Sequence, residues 1–341
     1  AYAHLGRRTE AFHAIERLRQ IEPESVVAVF GEAFGELGWG DTEKALGLFL
    51  EADAKRPGTF PAGSAPVQAN ILLERWDDAA AYAEKMAASS RPRFRRQGLE
   101  AQARVATYRG KSRQALALMD SRLAEHPERD VVRADLLNDL GFIRLSSGDA
   151  AGAVAAFEES REISSETWQE VGSSWGLAYA RARLGESEAA EAAAERLLTL
   201  VESVPSEFPE RWRRHLEGIF ALASEDFPTA IAELEAAAAM MPEHSAYDNE
   251  ITNLRFYLAQ AYMGSGEAEK AAEQLKLIVD SGMRRAFRPD LYVRSFYLLG
   301  QIALERGNLE EAKIYFQRFL DHWADGDLDR DRVAQAKRVV G

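Results

Sequence analysis

Tyr292-Val-Arg-Ser-Phe-Tyr-Leu-Leu-Gly-Gln-Ile-Ala-Leu-Glu-Arg-Gly-Asn-Leu-Glu-Glu-Ala-Lys-Ile-Tyr-Phe-Gln-Arg-Phe-Leu-Asp-His-Trp323 is the stretch whose reading decides the fold. Phe296, Leu299, Gly300, Ala303, Gly307, Ala312 and Phe316 mark two short amphipathic helices, A and B, broken at Gly307. The apolar residues of helix A recur every three or four positions, one stripe of a 3.6-residue period. Gly307 ends helix A in a left-handed turn that glycine adopts at little cost, and Asn308 is placed to cap helix B. Gly300 on helix A and Ala312 on helix B are small, which lets the two helices cross closely. The preceding unit places Leu258, Ala259, Tyr262, Gly266, Ala271, Leu275 and Ile278 at the same offsets.

The turn position can be followed back along the chain as Gly6, Gly40, Glu74, Gly110, Gly148, Gly185, Glu225, Gly266 and Gly307, at intervals of 34, 34, 36, 38, 37, 40, 41 and 41 residues. Five residues after each stands an alanine: Ala11, Ala45, Ala79, Ala115, Ala153, Ala190, Ala230, Ala271 and Ala312. An alanine at every one of these preset places is the mark of a repeat in which helix B always needs a small residue at one crossing point. Gly141 and Gly218 are expected to serve on helix A as Gly300 does, and Asp149 to cap as Asn308 does. Pro23, Pro57, Pro127 and Pro242 close several units by stopping helix B.

The spacing and the motif W-x₂-L-G-x₂-Y…A-x₃-F resemble those of tetratricopeptide repeats, whose period is about 34 residues. The resemblance implies an all-α right-handed superhelix (an α-solenoid) of about nine helix-turn-helix units, with residues 328–340 as a C-terminal capping helix. It extends over 1–341 as one superhelical domain: regular units over 1–57, an irregular unit over 58–98 that is a candidate hinge, and longer units over 99–323. The first unit has only the tail of helix A, Tyr2 to Leu5, so the sequence is expected to be a fragment of a longer chain. Its last part, from Arg294 to Asp327, resembles the end of repeat regions attached to bacterial Ser/Thr kinases and signalling regulators, which implies a sensor or scaffold segment.

The chain has 341 residues, 46% hydrophobic, with net charge −13 and no cysteine. The charge disfavours a phosphate backbone as partner. The absence of cysteine excludes disulfides and zinc–thiolate chemistry. No apolar run approaches the ~20 residues that cross a bilayer, so no membrane insertion is expected, and the setting read from these features is the cytoplasm.

The function implied is a protein-interaction scaffold holding a peptide or protein partner on its concave, helix-A face. Alternatives are a regulatory segment of a larger signalling enzyme and a self-associating, homo-oligomeric module. The positions expected on that face are Phe142, Trp175, Tyr179, Trp212, His215, Phe256, Gln260, Arg294, Tyr297 and Gln301. They are more aromatic than a water-facing surface requires, and exposed apolar stripes mark partner sites; packing of the same residues against neighbouring turns is the competing reading. A basic patch of Arg91, Arg93, Arg95 and Arg96 is placed to hold an acidic segment, against a solvated or glutamate-paired face.

No catalytic residue, cofactor or metal is expected. Gly172-Ser-Ser-Trp-Gly176 matches G-x-S-x-G, but that motif works on a strand-to-helix turn, and here it opens a helix A. Gly35-Glu-Leu-Gly-Trp-Gly40 is glycine-rich without the order of a dinucleotide loop. Asp325, Asp327 and Asp329 imitate the start of a calcium loop, yet Arg330 and Ala336 stand where glycine and glutamate are needed; helix capping explains the aspartates better.

Overall fold

The computed structural model describes residues 7–22, 25–55, 63–164, 168–202, 208–241 and 250–341. Gly6, Pro23, Pro57, Pro242, the Tyr2–Leu5 tail and residues 58–62 of the irregular unit lie outside them. The described residues are helical and contain no strand. In order the helices are α1 (Arg8–Ile21), α2 (Val26–Trp39), α3 (Thr42–Lys55), α4 (Ala65–Leu72), α5 (Trp76–Ala87) and α6 (Pro92–Tyr108). Then come α7 (Ser112–Glu125), α8 (Val131–Ser146), α9 (Ala150–Ile163), α10 (Trp168–Arg183), α11 (Ser187–Val201) and α12 (Phe208–Ala223). The last are α13 (Phe227–Ala239), α14 (Glu250–Gly264), α15 (Ala268–Val279), a 3₁₀ turn (Met283–Phe287), α16 (Pro289–Glu305), α17 (Leu309–Trp323) and α18 (Arg330–Val340). The final helix sits where a capping helix was expected.

The repeat logic is visible in burial. Ala45, Ala79, Ala115, Ala153, Ala190, Ala230, Ala271 and Ala312 are each no more than 1% exposed, whereas Ala11 on α1 is half-buried. The small helix-A residues have the predicted role too. A side-chain carbon at Gly300 would stand 2.8 Å from the Phe316 ring, at Gly218 2.6 Å from Leu234, and at Gly141 2.5 Å from Phe157. These approaches are closer than real contacts, so each position excludes any larger residue. Asp149 and Asn308 cap α9 and α17, accepting from Gly152 N at 2.8 Å and Glu311 N at 3.3 Å.

The turns hold one correction. Gly110, Gly148, Gly185, Gly266 and Gly307 have φ between +65° and +88°, as expected, and Glu74 and Glu225 take the same left-handed form at +58° and +60° without being glycine. Gly40 does not: its φ is −123°. The chain there has no need of a left-handed residue, because α2 runs helically through Trp39 and Asp41 starts the next helix by accepting from Glu43 N at 2.8 Å. The glycine of this stretch with a steric task is Gly35, where a side-chain carbon would stand 2.9 Å from the Phe12 ring.

The chain divides into two compact units: 1–106 with 242–250 and 280–289, and 107–241 with 251–279 and 290–341. In the first, α2, α3 and α4 build a core of Val29, Phe30, Ala33, Leu37, Phe49, Ala69 and Leu72. Phe30, Phe34 and Phe49 meet edge-on or tilted at centroid distances of 5.2–5.4 Å. The helix A expected to be weak is the eight-residue α4, whose residues are all buried. A helix this short cannot reach a full partner face, and the 3₁₀ turn supplies the remainder: Met283 and Ala286 enter the core, and Arg285 Nη2 donates to Leu72 O at 2.7 Å. In the second unit α8, α9 and α10 pack mutually, α11 and α12 follow, and α18 packs on α17.

Candidate functional site

The aromatic positions singled out on the A helices all fall in the second unit. Their placement follows from the repeat: residues one turn away from the crossing glycines and alanines point off the helix pair toward the next A helix. Trp175 on α10 stands 5.6 Å from the Trp212 ring and 4.7 Å from the His215 ring on α12. Tyr179, one turn along α10, lies 5.3 Å from Tyr257 on α14. Tyr257 in turn is 6.4 Å from His215 and 5.9 Å from Phe256. Trp175, Tyr179, Trp212, His215, Phe256 and Tyr257 therefore form one continuous aromatic row across three successive A helices. Phe142 on α8 belongs to the same unit, its ring 5.1 Å from Phe157.

Burial divides the set. His215, Phe256 and Tyr297 are buried, at 0%, 4% and 3% exposure. Phe142, Trp175, Tyr179, Trp212, Gln260 and Gln301 are half-buried and keep part of each side chain at the surface. The four aromatic residues among these pack against a core that includes Phe157, Leu177 and Leu216 and are still partly open. Tyr257 was not singled out from sequence; its neighbour Phe256 took the attention, although both follow the 3.6-residue period.

Arg294 and Tyr297 are held by the chain itself. Arg294 meets Asp329 with two hydrogen bonds of 2.9 Å, Nε to Oδ2 and Nη2 to Oδ1, and Nη2 also reaches Ser146 O at 2.7 Å. Its guanidinium stands 5.4 Å from the Trp323 ring centroid. Burial opposes the charge on Arg294, but Asp329 and Asp290 outweigh it and hold the group protonated. Tyr297 donates to Gln335 Oε1 at 2.6 Å, and Arg332 lies over its ring at 5.2 Å. Both of these partners are on α18, so the capping helix covers this end of the helix-A face.

At the base of α10, Glu170 is 4% exposed at its side chain and takes a two-pronged grip from Arg196, Nε to Oε1 at 2.7 Å and Nη2 to Oε2 at 3.0 Å. This ion pair on the B helix behind the row fixes the start of the helix that carries Trp175 and Tyr179. The serines of the G-x-S-x-G match are inside the same helix. Ser174 is fully buried and Ser173 Oγ donates to Glu170 O at 3.1 Å. An elbow would project its serine from a turn; here the helix is continuous through Gly172 and Gly176, and a side-chain carbon at Gly176 would stand 2.4 Å from Phe157. The glycine is a packing residue.

The basic patch lies in the first unit. Arg91 and Arg95 are exposed, Arg96 pairs with Glu100 at 3.7 Å, and the side chain of Arg93 lies outside the described set. A second arginine cluster is neutralised locally, with Arg214 reaching Glu210 at 2.8 Å and Glu233 at 2.9 Å. Among the described residues no group of three or more His, Asp or Glu side chains is arranged to hold a metal ion, and no helix is long and apolar enough to cross a membrane.

The tetratricopeptide repeat family model matches residues 293–321. It describes the repeat and carries nothing of the kinase-linked regions that the C-terminal part resembles. No curated protein matches the sequence. Among solved structures, a Rap protein complexed with competence and sporulation factor is similar with a TM-score of 0.52 and 12% identity, over 92% of this chain and 96% of that one. A tetratricopeptide repeat protein from Parabacteroides merdae is similar at a TM-score of 0.37 and 14% identity, over 92% of this chain and 98% of that one. A thermophilic protein of the same kind from Thermus thermophilus gives 0.42 and 19%, over 61% of this chain and 98% of that one. At these identities the likeness to the Rap protein speaks for fold alone, and the two lower scores add nothing to it. With the repeating glycine and alanine positions, the matched repeat at 293–321 and the helical fold in agreement, the chain is a tetratricopeptide-repeat protein.

Proposed function

We propose that this chain is a protein-interaction scaffold whose second unit binds a peptide or protein partner along the aromatic row of its A helices. The observation that supports this most is the half-buried state of Trp175, Tyr179 and Trp212 in one continuous row. Tryptophan and tyrosine left partly open beside a packed core offer large apolar area with one polar edge, the composition of interface centres. Half-buried Gln260 and Gln301 add hydrogen-bonding groups on the following A helices. His215, Phe256 and Tyr257 are the packed floor that holds the open rings in place. Binding of a partner by the Rap structure, which holds competence and sporulation factor, is consistent with this use of the fold.

The test is affinity capture from a bacterial lysate by the full chain and by Trp175→Ala and Trp212→Ala variants checked for equal helicity by circular dichroism. Loss of a specific retained protein in both variants is the expected result. An identical catch from all three proteins would remove the aromatic row from the binding surface.

A further inference from the structure

Asp325-Gly-Asp-Leu-Asp-Arg-Asp331 links α17 to α18 and carries carboxylates on alternate residues. Two of them serve a place far back in the same unit. Asp327 Oδ1 accepts from Ser112 N at 2.8 Å and from Ser112 Oγ, and Oδ2 accepts from Arg113 N at 3.2 Å, across 215 residues of chain. The first turn of a helix has N–H groups with no partner of their own, and the N-cap residue of α7 is Lys111, which forms no side-chain cap. The carboxylate of Asp327 meets that need from outside. Beside it, Gly110 O accepts from Asp327 N at 2.8 Å and Leu328 N at 3.0 Å. Asp329 meets the largely buried Arg294, which reaches on to Ser146 O at the end of α8. Alternate carboxylates of one short segment thus fill two separate anion sites, a helix start with a serine hydroxyl and a buried arginine.

The fit is close where backbone meets backbone. A side-chain carbon at Gly326 would stand 2.6 Å from Gly110 O, and one at Gly110 2.8 Å from the Trp323 ring. Asp329 itself sits at φ +45°, left-handed and unfavourable for a residue other than glycine. The segment is held mainly by polar groups that any acidic, extended chain can present, and one of its own residues is strained in doing so.

We infer that residues 325–331 are a releasable strap seated in an acidic-peptide site, and that the occupant this site fits in exchange is an extended segment with carboxylates on alternate residues. This deepens the scaffold reading by naming a partner chemistry, but it uses Ser112, Arg113 and Arg294 in place of the aromatic row. With the strap seated, α18 also stays over Tyr297; when an acidic segment takes its place, that end of the helix-A face opens. The strap is then an internal competitor for the site.

The probe is a labelled synthetic peptide of residues 321–341, measured by fluorescence anisotropy against the full chain and against a chain ended after Ala324. The shortened chain should bind it at least about tenfold more tightly than the full chain. Replacing Asp327 and Asp329 of the peptide by Asn should weaken binding by about tenfold or more, the scale of lost charge-assisted hydrogen bonds. Equal binding to both chains, binding to neither, or indifference to the Asn replacements overturns the inference. If the shortened chain does not fold, the full chain with Asp327→Asn and Asp329→Asn serves instead. Amide hydrogen exchange at 107–113 should then rise about tenfold while α9 to α11 keep their protection, and unchanged exchange at 107–113 overturns the strap. A Trp175→Ala chain ended after Ala324 should still take the peptide, which separates failure of the strap from failure of the aromatic row.

Discussion

At the scale of single residues the turns between A and B helices carry the most informative departures from the repeat. Most use glycine at positive φ, and at Gly307 a side-chain carbon would meet nothing within 4 Å. The demand there is backbone conformation alone. Glu225 satisfies the same demand at φ +60° on an exposed turn, with Asp226 N donating to Ala221 O at 2.8 Å as at the glycine turns. A left-handed residue with a side chain costs about 1–2 kcal/mol, offset in part by the greater freedom glycine has when unfolded. Glu225→Gly should therefore stabilise the chain by about 0.5–1 kcal/mol, and Gly307→Ala should destabilise it by about 1 kcal/mol. Urea unfolding of both variants checks the pair; a destabilising Glu225→Gly would mean the glutamate side chain outweighs the backbone.

At the scale of helices, one ring organises two repeats. Phe157 on α9 is fully buried, and side-chain carbons at Gly141 on α8 and Gly176 on α10 would both come within 2.5 Å of it. The helices on either side have given up their side chains to admit the phenyl ring. Phe157→Ala should cost about 3–5 kcal/mol, and Gly176→Ala about 1–3 kcal/mol through overpacking. Because both act on one space, Phe157→Leu combined with Gly176→Ala should cost less than the sum of the single changes, a non-additivity that denaturant midpoints measure directly. Gly141 was legible from the sequence because it occupies the repeat's small-residue position. Gly176 lies outside that position and inside a short catalytic-looking motif, so its packing role emerges only when α9 and α10 are seen together. The alanine of helix B was the clearest signal for a similar reason: a crossing point recurs with the period, so its residue type does too. Gly40 misled because the periodic position is occupied by glycine while α2 continues helically past the point where its equivalents turn.

At the scale of the whole chain, each compact unit is completed by a segment from far along the sequence: Met283–Phe287 fills in beside α4 in the first, and Asp325–Asp329 is tied to Gly110–Arg113 in the second. Neither closure has a period, which is why helix spacing announced the repeats and stayed silent about how they are finished. The second closure carries a pH dependence whose sign is fixed by Asp329. Burial raises the pKa of its carboxyl, but the hydrogen bonds and charges of Arg294 and Arg332 lower it more, so the net shift is downward. Asp290 also faces Arg294, at 3.5 Å, and shares the same guanidinium. A depressed carboxylate contributes stability that is complete above its unfolded pKa of about 3.9 and is lost as pH falls through the lower folded value. The closure should therefore be indifferent to pH between about 5 and 8 and weaken in acid. Asp329→Asn, which keeps a residue tolerant of the left-handed backbone, removes the charge at every pH. Its stability deficit against the parent chain should be largest near neutrality and shrink as pH falls below about 3, where the parent carboxyl is itself protonated. Urea midpoints of the two chains at pH 7, 4 and 2.5 provide the comparison. A deficit that stays constant across that range would mean Asp329 acts through its shape and hydrogen bonds, with its charge contributing nothing to the closure.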